Sequence, residues 1–344
     1  MTEPVVAEDV RREYGDTVAL DGVSLSVGTG EVFGLIGPNG AGKTTLVRAL
    51  TGTTEVEGRV AVFGESADAL DPQRIGLLPQ SFDPPSRLTA RELVDYYGGL
   101  YDEARDTESV LADVGLADDA DTWYETLSGG QQRRACVATA LVNDPDILFL
   151  DEPTTGIDPA GRRALWSLLE SLAGGGTTVF LTTHYMEEAQ RLADRVGLLN
   201  AGELVAVGSP AELIADYGGE TRLTFETDDP ESAVAALAET ELAVETGPER
   251  VVVRPVTPTD IGPVVELLAD HGVEYDTLAW AQPDLEDVYL TLTGERVDAG
   301  GRTVADPEAV TPGESPGESP PDETAGEGTE SASAATGGRQ GGTR

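Results

Sequence analysis

The segment Gly37-Pro38-Asn39-Gly40-Ala41-Gly42-Lys43-Thr44 constrains this chain more than any other stretch of it. It follows the apolar run Val32 to Ile36 and leads into Thr45-Leu46-Val47-Arg48-Ala49-Leu50, which reads as a helix. A strand that turns through glycines straight into a helix gathers backbone N–H groups at one point, where the helix dipole also favours negative charge. The glycines let that backbone approach phosphate oxygens, the lysine reaches the β- and γ-phosphates, and the following hydroxyl can ligate a divalent cation. Gly37 through Thr45 are therefore the candidate phosphate-binding residues.

The flanking sequence repeats the same alternation. Ile147 to Leu150 and Thr178 to Leu181 are short, nearly continuous apolar runs of the kind found in parallel strands buried on both faces. Each ends in polar residues, Asp151-Glu152 in the first and Thr182-Thr183-His184 in the second, and the carboxyl ends of such strands are where ligands bind. Strand-like and helical stretches alternate to about residue 218, the pattern of an α/β sheet with helices packed on it. After Tyr217-Gly218-Gly219, Leu223 and Phe225 alternate as in a strand, Val251 to Val253 is β-branched, and Ile261, Val264, Val265 and Leu268 recur at helical spacing. Leu285, Val288, Tyr289 and Leu292 repeat that spacing before Gly294, so residues 219–294 read as a second, small α/β domain. Residues 295–344 read as a disordered, acidic tail rich in Gly, Pro, Ser and Thr; from Gly301 onward there is no Leu, Ile, Phe, Trp, Tyr or Met to offset chain entropy. Deleting residues 301–344 is accordingly expected to leave folding and activity nearly unchanged.

Charge and cysteine usage exclude several classes. The 22 basic side chains against 63 acidic ones give −41, and because residues 295–344 account for only −6 of this, the excess is spread over the body. Self-repulsion on that scale destabilises a compact state unless salt screens it, which points to a high-salt cytoplasm and away from nucleic acid as the principal ligand. Of the 22 basic residues a single one is lysine, Lys43. No apolar run reaches the roughly 18 to 20 residues that cross a bilayer, and the acidic N-terminus is unlike a signal peptide. Cys136 is the one cysteine, so it forms no intrachain disulfide and reads as a small core hydrophobe. Trp123, Trp166 and Trp280 read as packing residues and His271 as a solvated helix end.

Leu127-Ser128-Gly129-Gly130-Gln131, which opens an Ala-rich helix, stands between the phosphate loop and the strand ending in Asp151-Glu152-Pro153. In kind and order these three segments resemble the Walker A, signature and Walker B motifs of the nucleotide-binding domain of ABC ATPases. The likeness covers roughly residues 4 to 215. It implies a P-loop NTPase fold of the ABC type with a helical subdomain, and ATP with Mg²⁺ as ligands. On the matching positions it implies that Tyr14 stacks on adenine, a contact worth roughly 1 to 3 kcal/mol with any base; Tyr14 reads equally as a plain sheet tyrosine. Gln80, in Leu77-Leu78-Pro79-Gln80, would reach metal and water, Asp151 would hold Mg²⁺ with Thr44, and Glu152 would be the general base, the cation easing repulsion between the two carboxylates. His184 would contact the γ-phosphate. Ser128, Gly129, Gly130 and Gln131 would form a second anion-binding helix start, directed at nucleotide on another copy, so that two chains head to tail complete two ATP sites. Asp158 would cross that interface, or serve as an N-cap with Pro159 at N1, and the roles can coexist. Thr155-Gly156-Ile157-Asp158 departs mildly from the Ser-Gly-Leu-Asp common in the family.

Two functional classes remain. One is the ATPase subunit of a transporter; the other is a soluble ABC ATPase of translation, repair or cofactor assembly. One Walker A motif, and a separation of only 47 positions from Gln80 to Leu127 with no heptad run, favour transport. Pro283 to Gly294 is similar to the C-terminal region of daunorubicin-resistance-type exporter ATPases, which favours export over import. That implies a separate multi-spanning permease as partner and a peripheral place on the cytoplasmic face of the membrane.

Overall fold

The structure, a computed structural model, describes residues 3–297 and 300–305. Val5–Tyr14 (β1) and Thr17–Val27 (β2) pair antiparallel, and the chain then enters Val32–Ile36 (β3), all five residues of which are buried. The phosphate loop joins β3 to Lys43–Leu50 (α1). Glu57–Val62 (β4) and Glu65–Ser66 (β5) complete a first sheet in the order β2-β1-β4-β5. Ile75–Leu78 (β6) is followed by a helical layer of Ala90–Gly98 (α2), Thr107–Asp113 (α3) and Gly129–Thr139 (α4). Ile147–Asp151 (β7), Pro159–Gly174 (α5), Thr178–Thr183 (β8), Met186–Leu192 (α6), Arg195–Asn200 (β9), Glu203–Gly208 (β10) and Pro210–Tyr217 (α7) complete this part.

The second sheet runs β10-β9-β3-β8-β7-β6, parallel from β9 to β6 with β10 antiparallel at one edge. Successive residues of a strand face opposite sides, and β7 uses both. Ile147 and Phe149 pack with Leu46, Leu50 and the first sheet, whereas Leu148 and Leu150 pack with the helical layer. Burial on both faces is why these strands read as unbroken apolar runs. Leu35 pairs with Thr182 and Asp151 with Thr182 as well, so β3, β8 and β7 end level with one another. The phosphate loop, Asp151-Glu152, His184 and Gln80 all leave that one edge of the sheet.

Arg222–Glu226 (β11), Pro230–Leu237 (α8), Ala243–Thr246 (β12), Arg250–Arg254 (β13), Ile261–Asp270 (α9) and Thr277–Ala281 (β14) form an antiparallel sheet in the order β12-β13-β11-β14. Both helices cover the face carrying Leu223, Phe225, Val251 and Val253. Leu285–Thr293 (α10) starts on the Asp284 side chain and stops at Gly294, whose φ of 74° a glycine adopts without strain. Its apolar stripe turns away from this small sheet: Leu285, Val288 and Tyr289 pack with Met186, Ala189 and Leu213 of the first part.

The expectation of a disordered tail from residue 295 fails for its first residues. Glu295–Val297 (β15) pairs with Thr303–Ala305 (β16), and between them Gly301 and Gly300 accept hydrogen bonds from the Asn39 backbone N–H (2.5 Å) and side-chain amide (2.8 Å). Composition counts apolar side chains, but backbone hydrogen bonding needs none. Residues 306–344, to which the same expectation applies, lie outside the described residues. Trp166 is buried, with its indole donating to Glu188, and Trp280 donates to the Val256 carbonyl, but Trp123 is 53% exposed and is no core residue. His271 is exposed at the end of α9 and Cys136 is buried beside the Tyr124 hydroxyl.

Candidate active site

The phosphate loop keeps its shape because its glycines sit where no other residue fits. A Cβ on Gly37 would meet the Leu199 carbonyl at 2.2 Å, and Gly42, at φ 109°, would meet that of Ala19 at 2.3 Å. The loop is thus clamped between the β9–β10 turn and β2, and Gly202 donates to the Ala41 carbonyl from that turn. Lys43, 4% exposed, extends back under it, with Nζ donating to the carbonyls of Gly37 (2.8 Å) and Pro38 (3.0 Å). Nζ also lies 3.1 Å from Glu152 Oε1.

Glu152 stands just past β7 with φ at 49°, a left-handed conformation that a non-glycine residue holds only when its surroundings enforce it. Its N–H donates to both the carbonyl and the hydroxyl of Thr182. While Oε1 faces Lys43, Oε2 accepts from Gln80 Nε2 (3.2 Å) and the Thr155 hydroxyl (3.2 Å). His184 Nδ1 is 3.4 Å from the same oxygen and has no aligned hydrogen-bond partner among the described residues. Burial pushes the Glu152 carboxyl up, but His184 and Lys43 together outweigh it and hold it at about 2. Desolvation pulls Lys43 down from the ordinary lysine value, opposed by Glu152 and Asp151. The group that would polarise a water is therefore ionised at neutral pH and covered by a cation.

Asp151 is buried, and its Oδ1 takes the Thr182 hydroxyl. No second protein hydrogen bond reaches its carboxylate among the described residues. Thr44, second residue of α1, supplies a hydroxyl at the helix start. Carboxylate and hydroxyl oxygens are the hard donors that suit Mg²⁺, and no cluster of three His, Cys, Asp or Glu among the described residues would hold a metal unaided. Such a donor set fits a magnesium ion that brings water and phosphate ligands with it.

The remaining expected residues divide. Tyr14 closes β1 with its ring under the Arg12 guanidinium (4.7 Å) and its hydroxyl 3.5 Å from that of Thr54. Ser128 caps α4 in a reciprocal pair with Gln131, and Gln131 Nε2 donates to Asp119 (2.6 Å), so the signature segment makes no hydrogen bond with the Glu152 cluster. Ser128 and Gly129 are exposed, whereas Gly130 is buried against Gly161, where a Cβ would come 3.0 Å from its Cα. Asp158 is the N-cap of α5, accepting from the N–H groups of Ala160 and Gly161 at 2.8 Å each. Thr182, Thr155 and Arg133 all hold Glu152, a contact the sequence assigned to none of them. Thr182 had a signal, as the first polar residue at the end of β8; the others had none.

A family described as ABC transporter matches residues 20–155. The chain is 41% identical over 307 residues to the Daunorubicin resistance ATP-binding protein DrrA3 of Streptomyces coeruleorubidus, across 85% of this chain and 96% of that protein. It is 38% identical over 307 residues to the Nod factor export ATP-binding protein I of Rhizobium meliloti (strain 1021), across 86% and 90%. Among solved structures, a dimeric bacterial ABC transporter cassette matches with a TM-score of 0.54 at 28% identity, over 60% of this chain and 98% of that one. A dimeric post-hydrolysis cassette bound to ADP and Pi matches at 0.53 and 27%, over 60% and 98%.

Proposed function

The chain belongs to the ATP-binding proteins of ABC transporters and is an ATPase, and from that premise we propose that it powers an exporter whose membrane-spanning permease is a separate chain. Among the described residues no helix is long and apolar enough to cross a membrane, and the reading places this subunit on the cytoplasmic face through that permease. Export rests on the relatives, which are named for daunorubicin resistance and Nod factor export.

The observation that carries the chemistry is the convergence of Lys43, Gln80 and His184 on one buried carboxylate, Glu152. Phosphoryl transfer asks little covalent chemistry of a protein; it asks for positioning and charge stabilisation. The amides of the phosphate loop and the dipole of α1 hold the triphosphate, and Lys43 exchanges Glu152 for phosphate oxygens. Released, Glu152 orients the attacking water and takes up its proton, with Gln80 and His184 beside it. A magnesium ion held by Thr44 and Asp151 would supply neutralisation of the phosphate charge. Exposure of Ser128 and Gly129 at the start of α4 supports a head-to-tail pairing in which each chain completes the other's site.

Replacing Glu152 with Gln tests this. ATP binding is expected to persist, turnover to fall by about a hundredfold or more, and an ATP-dependent dimer to accumulate on sizing chromatography with magnesium. A monomeric variant that hydrolyses ATP at nearly the wild-type rate would overturn the assignment.

A further inference from the structure

The Arg133 guanidinium sits directly behind the reaction centre. Its Nε donates to the Pro153 carbonyl (2.6 Å), and its Nη2 donates to the carbonyls of Glu152 (3.0 Å) and Asp151 (3.3 Å). The strand β7 ends at Asp151, so the next two carbonyls have left the sheet ladder, and a buried carbonyl without a donor is costly. A planar fork of N–H groups can serve several carbonyls at once; a lysine ammonium on a flexible stem matches that geometry poorly. The peptide of Glu152 is consequently gripped from two sides, by Thr182 on its N–H and by Arg133 on its carbonyl. Between those grips the residue holds its φ of 49°, which directs the carboxylate toward Lys43 and Gln80.

Arg133 also belongs to the helix that begins with the signature residues. From Gly129 to Arg133 is about 6 Å along a helix, and the capping pair of Ser128 and Gln131 makes that first turn a stiff unit. Gly130 seats the same turn against Gly161 of α5. A displacement of Ser128 therefore reaches Arg133 without passing through a loop.

We propose that Arg133 is a positioning residue which fixes the peptide of Glu152 and transmits to it the engagement of Ser128 and Gly129 with nucleotide on a second copy. The transmission rests on the head-to-tail pairing proposed above. One chain's signature segment serves the other's nucleotide, while its Arg133 holds its own base, so filling one site tunes hydrolysis at the other. Coupling of this kind between two binding events is reciprocal.

Two variants of the full chain test it. Arg133→Met retains bulk without donors, and Arg133→Lys retains a charge with fewer matched donors. Arg133→Met is expected to lower kcat by roughly ten- to a hundredfold, the scale on which misplaced reacting groups lose rate. A fluorescent ATP analogue should bind within about twofold of wild type, a shift too small to signal lost ground-state binding. The Hill coefficient for ATP should fall toward one, and Arg133→Lys should recover part of kcat. The proposal is overturned if Arg133→Met keeps the wild-type kcat and Hill coefficient. It is equally overturned if kcat falls only in step with nucleotide affinity and melting temperature, which would mark a folding defect. Should Glu152→Gln alone fail to dimerise with ATP, the pairing and the transmission fall together; the hold on Glu152 still stands or falls on kcat in the Met and Lys variants.

Discussion

Lys43 Nζ lies 3.1 Å from Glu152 Oε1, and neither side chain is more than 5% exposed. The cation that the phosphate loop offers to a nucleotide and the carboxylate that would act on water thus neutralise each other. A buried ion pair contributes little net stability, yet removing one partner strands the other. In the proposed reaction phosphate oxygens compete with Glu152 for the same ammonium, so that nucleotide binding would release the base.

Lys43→Met should therefore abolish hydrolysis and also destabilise the fold by about 3 kcal/mol, the usual cost of an unpaired buried charge. Adding Glu152→Gln removes the stranded carboxylate, so the double variant should be more stable than Lys43→Met alone. Urea unfolding of the four members of this cycle measures the coupling. A double variant no more stable than the single one would show that the pair carries no interaction.

The same pair fixes a pH dependence. Glu152 has its carboxyl at about 2 in the fold, below the ordinary 4.5. A group lowered by folding stabilises the protein fully above its unfolded value, and the benefit fades as pH falls toward the folded one. The stability gap between wild type and Glu152→Gln should then be constant from neutral pH to about 5 and narrow below 4.5. Melting curves at stepped pH follow it; a gap that widened with acid would give the shift the opposite sign.

Asn39 spends its backbone N–H and its side-chain amide on Gly301 and Gly300. Truncation after Val297 frees both donors at the tip of the phosphate loop, so the KM for ATP should fall by about twofold or more, the effect of releasing a weak competing hydrogen bond. Gly301→Val should act in the same direction, since a Cβ there would come 2.8 Å from the Asn39 amide at a φ of 73°. Steady-state ATPase measured against ATP concentration decides; an unchanged or higher KM in both variants would mean that the contact merely braces the loop.

Salt should matter more than any of these substitutions. With −41 on 344 residues, lowering ionic strength lengthens the reach of repulsion from about 3 Å at 1 M to about 30 Å at 0.01 M. The melting temperature is expected to rise steadily from low to molar salt, and a flat profile would remove the high-salt reading of the composition.

Much of the site was legible from sequence because its physics is local. Glycine turns, a helix start after a strand, the Asp158-Pro159 cap and apolar runs that end in carboxylates all act within a few residues of themselves. That β3, β7 and β8 are buried parallel strands with polar carboxyl ends was legible in their apolar texture; their order in the sheet, which gathers Lys43, Asp151, Glu152 and His184, was not. What each side chain does there was decided by tertiary structure. Glu152 meets Lys43 and Gln80, which are far from it in the chain, only through the register of the sheet. Arg133 grips three carbonyls, and Gly300 and Gly301 offer carbonyls to Asn39. Every residue has a carbonyl, so such acceptors leave no mark in the sequence. For α10 the spacing announced a helix with one apolar face, but not that this face would turn back to Met186 and Leu213. Periodicity specifies which side of an element avoids water, and only the path of the chain specifies against what.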